Sequence, residues 1–485
     1  MPLFIPLEAY KKRYTYKYKA LYHALHDAIT SGHIPNHTKL PSTRALAKQY
    51  QLSRGIVNQV YEMLTAEGYI FSEVGKGSYV TFTALTSPVE CTEKKPDIPL
   101  SKWGQQLSKF DHTLVHTLVD AKENTLHFHV GTPDQRHFPK ALWSRSLYQS
   151  VRETIDHPHY DLYDTQGNLA LREAICQHVR HHRGIHCTPE EIVLVNGSMQ
   201  AIAILAQLLL DAEDHVMIEN PCYSGILNAI ATTGASPIPL PVDQDGVVFE
   251  PHPSKMLFTT PSRQYPTGSV LSLKRRQHML HWANEQHAYI VEDDYDSEFR
   301  YKGKPIEPLK VLDQEQRVIY IGTFTKTMMT ALRIGYVILP PSLVQAFITG
   351  KKLFEPHPSN GLEQRALAHF MKTGHYDRHI RKMTRVYKSK QTYFFHLLST
   401  YCRTWFSFHA SDSGLHVFAE WKGSEEAYEK AKTYSLQQGI SWTDCTSYYY
   451  HHPVPSACFG FSHLDLEHME KHVKRLSNTL AKATR

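Results

Sequence analysis

The 485-residue chain predicts two folded units: a small helical unit closed by a β-hairpin, and a large α/β unit on a mostly parallel sheet. Three observations predict them. Residues 1–82 carry apolar stripes at helical spacing, then two strand-like runs on either side of a glycine turn. Residues 83–124 lose periodicity and turn rich in proline, serine, lysine and glutamate, as a linker does. From residue 125 to 485, apolar runs of strand length alternate with helical segments, the pattern of a parallel sheet that binds ligands beyond its strand carboxyl ends.

Composition narrows the class. With 41% hydrophobic and 21% charged residues, the chain reads as an ordinary globular protein. The longest apolar stretch, "GYVILPPSLVQAFI", is broken by Pro340 and Pro341, and the first residues, "MPLFIPLEAYKKRYTYKYK", lack a signal-peptide core. Neither a membrane span nor secretion is therefore expected, and a cytoplasmic location is. Seven cysteines without a C-x-x-C pair fit reduced thiols. The 32 histidines are read as showing no H-E-x-x-H or comparable spacing, so no metal is expected. The net charge is +6, and residues 1–85 hold ten Lys/Arg against five acids. The basic excess is thus concentrated in the small unit, which suggests a polyanionic partner.

In the small unit, Leu21, Leu25, Ala28 and Ile29 share one helical face until Gly32. Ser42 or Thr43 caps a short second helix bearing Leu46 and Ala47. Ser53 caps a third, with Ile56, Val57, Val60 and Leu64 as its stripe and Gly68 as its stop. Tyr69–Ser72 and Ser78–Phe82, joined by "EVGKG", form a hairpin. Three helices and a hairpin describe a winged helix-turn-helix, whose recognition helix enters the major groove of double-stranded DNA with its N-terminus leading. That places Arg54 and Gly55, then Asn58 and Gln59, near base edges, with Ser53 at the helix start also counted among the DNA-binding residues. Ser42 and Arg44 lie near phosphates, and Lys76 and Gly77 of the wing lie near the flanking backbone or minor groove. The bland alternative is a helical adaptor with a solvated basic face. The run Ala28-Ile29, Gly32, Leu40-Pro41-Ser42, Arg44, Leu46-Ala47, Ser53-Arg54, Val57, Tyr61, Leu64, Glu67-Gly68-Tyr69 and Gly77 resembles the GntR-type DNA-binding domain.

In the linker, Trp103 and Phe110 are the residues that could dock. In the large unit, "EIVLV", "DHVMIE", "KMLFTT", "AYIVE", "RVIYIG" and "IGYVILP" read as strands. Just past their ends stand Asn196-Gly197-Ser198-Met199, Asn220-Pro221-Cys222-Tyr223, Asp293-Asp294-Tyr295, and Thr323 with Thr325 and Lys326; Arg333 follows. A helix N-terminus for an anion, an aromatic, a carboxylate, a phenol, a lysine and an arginine converge on one edge. Pyridoxal 5′-phosphate needs this set: a lysine for its aldehyde, an acid for its ring nitrogen, an aromatic for its ring and an anion cradle for its phosphate.

Together with "YDTQGNLALREAI", Arg183-Gly184, "PSRQYPTG", "EDDYDSEFRY" and "GTFTK.....LRIGY", the large unit resembles the fold-type I aminotransferases. The two units joined resemble the MocR/GabR-type regulators, with the vitamin B6-sensing group among them the candidate. The resemblance implies that Lys326 forms the Schiff base with pyridoxal phosphate, that Asp293 pairs with its ring nitrogen, and that Tyr295 lies near its phenolic oxygen. It further implies that Tyr223 stacks on the ring, and that Ser198, Met199 (through its backbone N–H), Thr323 and Arg333 hold the phosphate. Asp294, Asp296 and Glu298 read as an acidic, solvated loop. Three departures stand out. Cys458 occupies the place of the arginine that clamps a substrate carboxylate, Gly225 the place of a second arginine found in the GABA-responsive regulator, and Tyr265 the usual place of an asparagine. Arg263, Arg378 and Arg381 are the arginines that could substitute.

The expected function is a transcriptional regulator, homodimeric with swapped DNA-binding heads, that senses pyridoxal phosphate. Its rivals are a regulator that senses an amino acid or amine, a working aminotransferase carrying a DNA-binding head, and a binding protein with a vestigial cofactor site.

Overall fold

A computed structural model describes residues 3–73, 76–83, 100–108, 125–156, 164–303 and 305–484. The chain divides into two compact units, Met1–Pro99 and Leu100–Arg485.

The small unit contains α1 (Leu7–Arg13), α2 (Lys17–Thr30), α3 (Thr43–Tyr50) and α4 (Arg54–Ala66), then β1 (Ile70–Glu73) paired antiparallel with β2 (Gly77–Val80). Sequence periodicity did not reveal α1, a single two-turn segment. Leu21, Leu25, Ile29, Leu46, Ala47, Val57, Val60 and Leu64 form the core, so the apolar stripes face inward as read. The Ser42 hydroxyl accepts from the Ala45 N–H at 3.2 Å and the Ser53 hydroxyl from the Ile56 N–H at 3.3 Å. Each starts its helix by satisfying one of the N–H groups that the first turn leaves unpaired.

In the large unit, α5 (Lys102–Leu107) lies within the stretch expected to be a linker and packs against α9 (Ser224–Thr233), although Trp103 stays 48% exposed. Phe110 lies outside the described residues. The main sheet runs β4-β11-β10-β9-β8-β5-β6-β7, where β4 is Ile192–Val195, β5 His215–Asn220, β6 Ser236–Asp243, β7 Gly246–Val247, β8 Met256–Thr259, β9 Tyr289–Asp294, β10 Val318–Thr323 and β11 Gly335–Ile338. The strands β10, β9, β8, β5 and β6 are mutually parallel, while β11 runs against both its neighbours.

Alternate residues of these strands feed opposite cores, as the two-residue period of a pleated strand requires. Val193, Ile218, Val291, Ile319 and Val337 pack under α8 (Ser198–Leu209), α9 and α12 (Pro341–Phe354). Ile192, Leu194, Tyr320 and Ile338 pack with α6 (Lys140–Asp156), α7 (Leu169–Arg183) and α13 (Gly361–Lys372). Met217, Leu257 and Ile290 meet α10 (Leu273–Glu285), which precedes the short α11 (Leu309–Leu312). Burial on both faces is why these strands read as continuous apolar runs.

A second sheet, β12-β13-β15-β14-β3, joins β12 (Phe406–Phe408), β13 (His416–Trp421), β14 (Ile440–Asp444) and β15 (Ser456–Gly460) to β3 (Leu126–Phe128). It packs on α14 (His375–Tyr401), α15 (Glu425–Gln437) and α16 (Leu466–Ala483). The start of the large unit thus completes a sheet whose other strands come from its end, since β3 runs parallel to β14.

Candidate functional site

On the small unit, Ser42, Arg44, Ser53, Arg54, Gly55, Asn58, Lys76 and Gly77 are all exposed. Arg54, Gly55 and Asn58 follow one another along the first turns of α4, the position from which a recognition helix reads bases. A β-carbon at Gly55 would meet nothing within 4 Å, so the fold itself does not require glycine there. Ser42 and Ser53 spend an acceptor on capping, which leaves each hydroxyl hydrogen free for a phosphate. Lys76 pairs with Glu73 at 2.7 Å, and an exposed pair of this kind is weak. Replacing Arg54 by alanine is expected to cost about 1–3 kcal/mol on the preferred DNA sequence and to flatten sequence preference. Replacing Lys76 by alanine should weaken all sequences alike and reduce the salt slope by about one. Fluorescence anisotropy on specific and random duplexes over a salt series checks both. Equal losses on the two duplexes for Arg54→Ala would make it a phosphate contact.

In the large unit, the loops after β4, β5, β9 and β10 open into one cavity of about 420 Å³. Ser198, Met199, Tyr223, Asp293, Tyr295, Thr323, Lys326 and Arg333 all line it. Gly197, at φ 88°, turns the chain from β4 into α8, so the first-turn N–H groups of Ser198 and Met199 need no partner within the helix. Arg333 closes on this turn, donating to the Asn196 carbonyl at 3.3 Å. A β-carbon at Gly197 would stand 2.8 Å from Arg333 Nη2, so glycine is required for that approach. Arg333 itself holds a left-handed φ of 48°, uncommon outside glycine. Thr323 Oγ1 donates to Thr325 Oγ1 at 3.1 Å, which brings a second hydroxyl into the lining.

Asp293 is 8% exposed, and its Oδ1 is buried with no protein partner. Burial, then the neighbouring Asp294, push its carboxyl up to about 7, against the opposing pull of Lys326. Burial also holds the Lys326 amine below the usual lysine range, with Asp296 opposing. Gly131, just after β3, makes room for this side chain, because a β-carbon there would collide with Lys326 Nζ. Tyr223 meets the Tyr265 ring edge-on at 6.0 Å. A side chain at Gly225 would run into Met199 and the Tyr223 ring.

The far wall differs from what an amino-acid carboxylate needs. Cys458 is fully buried beside Tyr265 and Tyr448. Arg263 does not line the cavity; it sits behind Tyr295, donating to the Tyr295 hydroxyl at 2.7 Å and to the Ser413 and His416 carbonyls at 3.2 Å. Arg378 bonds to the Thr373 and Gly374 carbonyls, and Arg381 lines a different cleft. Among the described residues, Lys326 and Arg333 are the lysine and arginine of the lining. His129 is held neutral, pushed down to about 4 by burial, and burial also keeps His416 well below its usual value.

Two readings of the sequence are corrected here. Asp294, Asp296 and Glu298 are not a solvated loop. Asp294 is 6% exposed and accepts from the Tyr320 hydroxyl at 2.6 Å and from the Arg183 guanidinium, while Asp296 is 2% exposed beside Arg263. Glu298 has a buried, unpartnered Oε2, and burial pushes its carboxyl up to about 8. Acid runs look solvated in sequence, and only the packing shows the arginines that meet them. The histidines, read as lacking metal-type spacing, do include His178 and His182 four apart on α7, and the fold sets Asp377 beside them. Sequence reasoning also passed over Gly131 and His129. The run "HFHVGTPD", which begins within β3, was the available signal, because glycine followed so soon by proline marks a shaped turn.

The donor set fits pyridoxal phosphate. Asp293, whose buried Oδ1 has no partner among the described residues, would suit a pyridinium, and the Lys326 amine lines the same cavity. A glycine-opened helix N-terminus with an arginine forms an anion cradle.

Fold and site therefore define an aminotransferase-type cofactor unit joined to a winged helix-turn-helix. Residues 144–476 match the family "Aminotransferase class I and II" and residues 17–80 match "Bacterial regulatory proteins, gntR family". The probable rhizopine catabolism regulatory protein MocR of Rhizobium meliloti is 33% identical over 95% of this chain and 92% of its own length. The HTH-type pyridoxine biosynthesis transcriptional regulator PdxR of Corynebacterium glutamicum is 29% identical over 73% and 72% respectively. The chain belongs to the MocR-type family of transcriptional regulators. Pyrococcus horikoshii kynurenine aminotransferase shares the fold of the large unit, with a TM-score of 0.71 at 22% identity, over 80% of this chain and 98% of that one. LysN of Thermus thermophilus, solved with N-(5′-phosphopyridoxyl)-L-leucine, gives a TM-score of 0.69 at 23% identity, over 79% and 96%. Among the described residues, no helix is long and apolar enough to cross a membrane.

Proposed function

We propose that this regulator binds pyridoxal phosphate in the Lys326 cavity and that occupancy of the cavity sets its affinity for an operator. One observation carries the reading: among the described residues the cavity offers a lysine, an orphaned carboxylate and an anion cradle, yet no guanidinium beyond Arg333 of that cradle to clamp the carboxylate of an amino acid. When bound, the cofactor supplies an aldehyde that condenses with an amine and a ring that draws electrons from it. The protein's own part is binding and orientation. Ser198, Met199, Thr323 and Arg333 take the phosphate, Tyr223 covers the ring, Tyr295 is presented by Arg263, and Asp293 holds a proton at its carboxyl for the ring nitrogen. Occupancy can shift DNA affinity only if the cofactor binds the two states unequally.

A second reading rests on Asp296, whose buried Oδ1 lacks a partner at the cavity edge and would suit an ammonium; there the signal is an amine or amino acid captured by the cofactor. The working unit is read as a cytoplasmic homodimer with exchanged heads, which would cover exposed apolar residues such as Ile155, Leu353 and Phe354. The test titrates apo protein on operator DNA with pyridoxal phosphate, then holo protein with amines and amino acids. If apo and holo forms bind identically while one amine shifts the holo form, cofactor sensing is wrong and the second reading stands. Turnover with amino donors would instead mark a working aminotransferase.

A further inference from the structure

We propose a transition-metal site, of the class that takes zinc, formed by His178 and His182 of α7 and Asp377 in the first turn of α14. The two histidines are four residues apart, so both leave the same face of α7, and their rings stand 4.6 Å centre to centre. Asp377 Oδ1 lies 3.3 Å from His182 Nε2 and 3.7 Å from His178 Nδ1, and the three ligand atoms fall within 4.8 Å of one another. An ion with bonds of about 2.0–2.2 Å in a tetrahedral shell separates its ligand atoms by roughly 3.3–3.6 Å. The 3.3 Å separation falls on that edge and the 3.7 Å one lies just beyond it.

A plain ion pair is the competing account, since one carboxylate oxygen facing an imidazole needs no metal. It explains less. A single oxygen here faces two imidazoles at once, and both approach through ring nitrogens. His178 is nearly buried whereas His182 and Asp377 are about half exposed, so an ion can enter from solvent.

The surroundings select among ions. The three ligands line a cleft of about 520 Å³ that also holds Arg183, Arg300, Arg381 and Arg385. That positive field opposes any dication, so retention must come from ligand bonds rather than from bulk attraction. Imidazole bonding of this kind favours zinc, cobalt or nickel over magnesium or calcium. Water or an anion held in this basic cleft would complete the shell.

The site would join two elements that also support the cofactor cavity. Tyr376, next to Asp377, donates to Thr327 Oγ1 at 3.0 Å, and the His379 ring bonds the Thr327 carbonyl at 2.9 Å, one residue from Lys326. Arg183, next to His182, binds Asp294. Metal binding itself does not depend on the cofactor reading.

The test uses full-length protein freed of metal, titrated with Zn²⁺ against a chromophoric chelator and separately with Co²⁺. Wild type is expected to hold one more tight zinc equivalent than the His178→Ala/His182→Ala variant, and to show visible Co²⁺ bands that the variant lacks. Asp377→Asn should weaken zinc by about tenfold or more. Comparison with the variant removes binding by the other histidines and cysteines. If the double variant loses its wild-type melting transition in chelator, the single variant His182→Gln, at a half-exposed position, gives the same readout. Equal zinc equivalents and identical Co²⁺ spectra in wild type and folded variant would overturn the site, whatever the cofactor titration shows.

Discussion

Lys326→Ala is expected to yield a colourless protein. Wild type supplied with pyridoxal phosphate should be yellow and keep its colour through gel filtration, because in the proposed site the Lys326 amine would hold the cofactor covalently. The environment prepares that amine. Burial lowers its proton affinity, so a larger share is unprotonated and nucleophilic, and Gly131 leaves its path open. Asp293 faces the same cavity with a carboxyl pushed up to about 7, and in the proposed site it would hold the proton of the ring nitrogen. Lys326→Arg separates charge from chemistry, since guanidinium retains the cation and cannot condense with an aldehyde. It should be as colourless as the alanine variant. Both should lose any response of DNA binding to pyridoxal phosphate while keeping the small unit's basal affinity for DNA. Visible absorption and a DNA-binding titration check this. A wild type that stays colourless with added cofactor would remove the basis of the proposed function.

Asp134→Ala should destabilise the large unit by about 3–5 kcal/mol, the usual cost of leaving a buried charge without its partner. Asp134 is 3% exposed and Lys390 is 2% exposed, and they meet at 2.6 Å. Lys390 also donates to the Ser462 carbonyl at 2.6 Å, and the Asp134 N–H donates to the Tyr387 hydroxyl at 2.9 Å. Lys390 of α14 thus joins the turn after β3, through the Asp134 carboxylate, to the chain beyond β15. Arg136 and Lys390 hold this carboxyl below the ordinary aspartate range, against the effect of burial. A depressed carboxyl contributes stability that is present above the unfolded aspartate value of about 3.9 and is lost as pH falls through the folded value. Wild type should therefore lose stability on acidification in a window where the variant, lacking the group, changes less. Urea melts at pH 7 and in acid measure both effects. A cost below about 1 kcal/mol at neutral pH would mean that Lys390 escapes to water, contrary to its burial. Replacing both partners with apolar residues of similar volume should recover much of the loss.

The sequence was most legible where chemistry follows local geometry. Helices α2 to α4 were set out by apolar spacing and by Ser42 and Ser53, each of which caps the helix it precedes. The strand ends were legible because a run such as "RVIYIG" can only be a buried strand, and the small polar residues after it must turn. The eight cofactor residues that the aminotransferase resemblance picked out beyond those ends line one cavity. What the sequence left open or misread has a common form. Arg263 is in sequence only one of three arginines that could replace the missing clamp, and the fold engages it with Tyr295 and two carbonyls. Asp294 reads as solvated, and the fold buries it against Arg183 from a helix more than a hundred residues earlier in the chain.

By itself the sequence determined the periodicities, the caps, the turns and the kinds of residue delivered to the strand ends, because each depends on atoms a few residues apart. Only the tertiary structure decided which buried charges find partners, that β3 completes a sheet begun three hundred residues later, and that α7 and α14 bring His178, His182 and Asp377 together. Those outcomes depend on how separate elements pack, and no local spacing records the separation between two groups that meet only when the chain closes on itself.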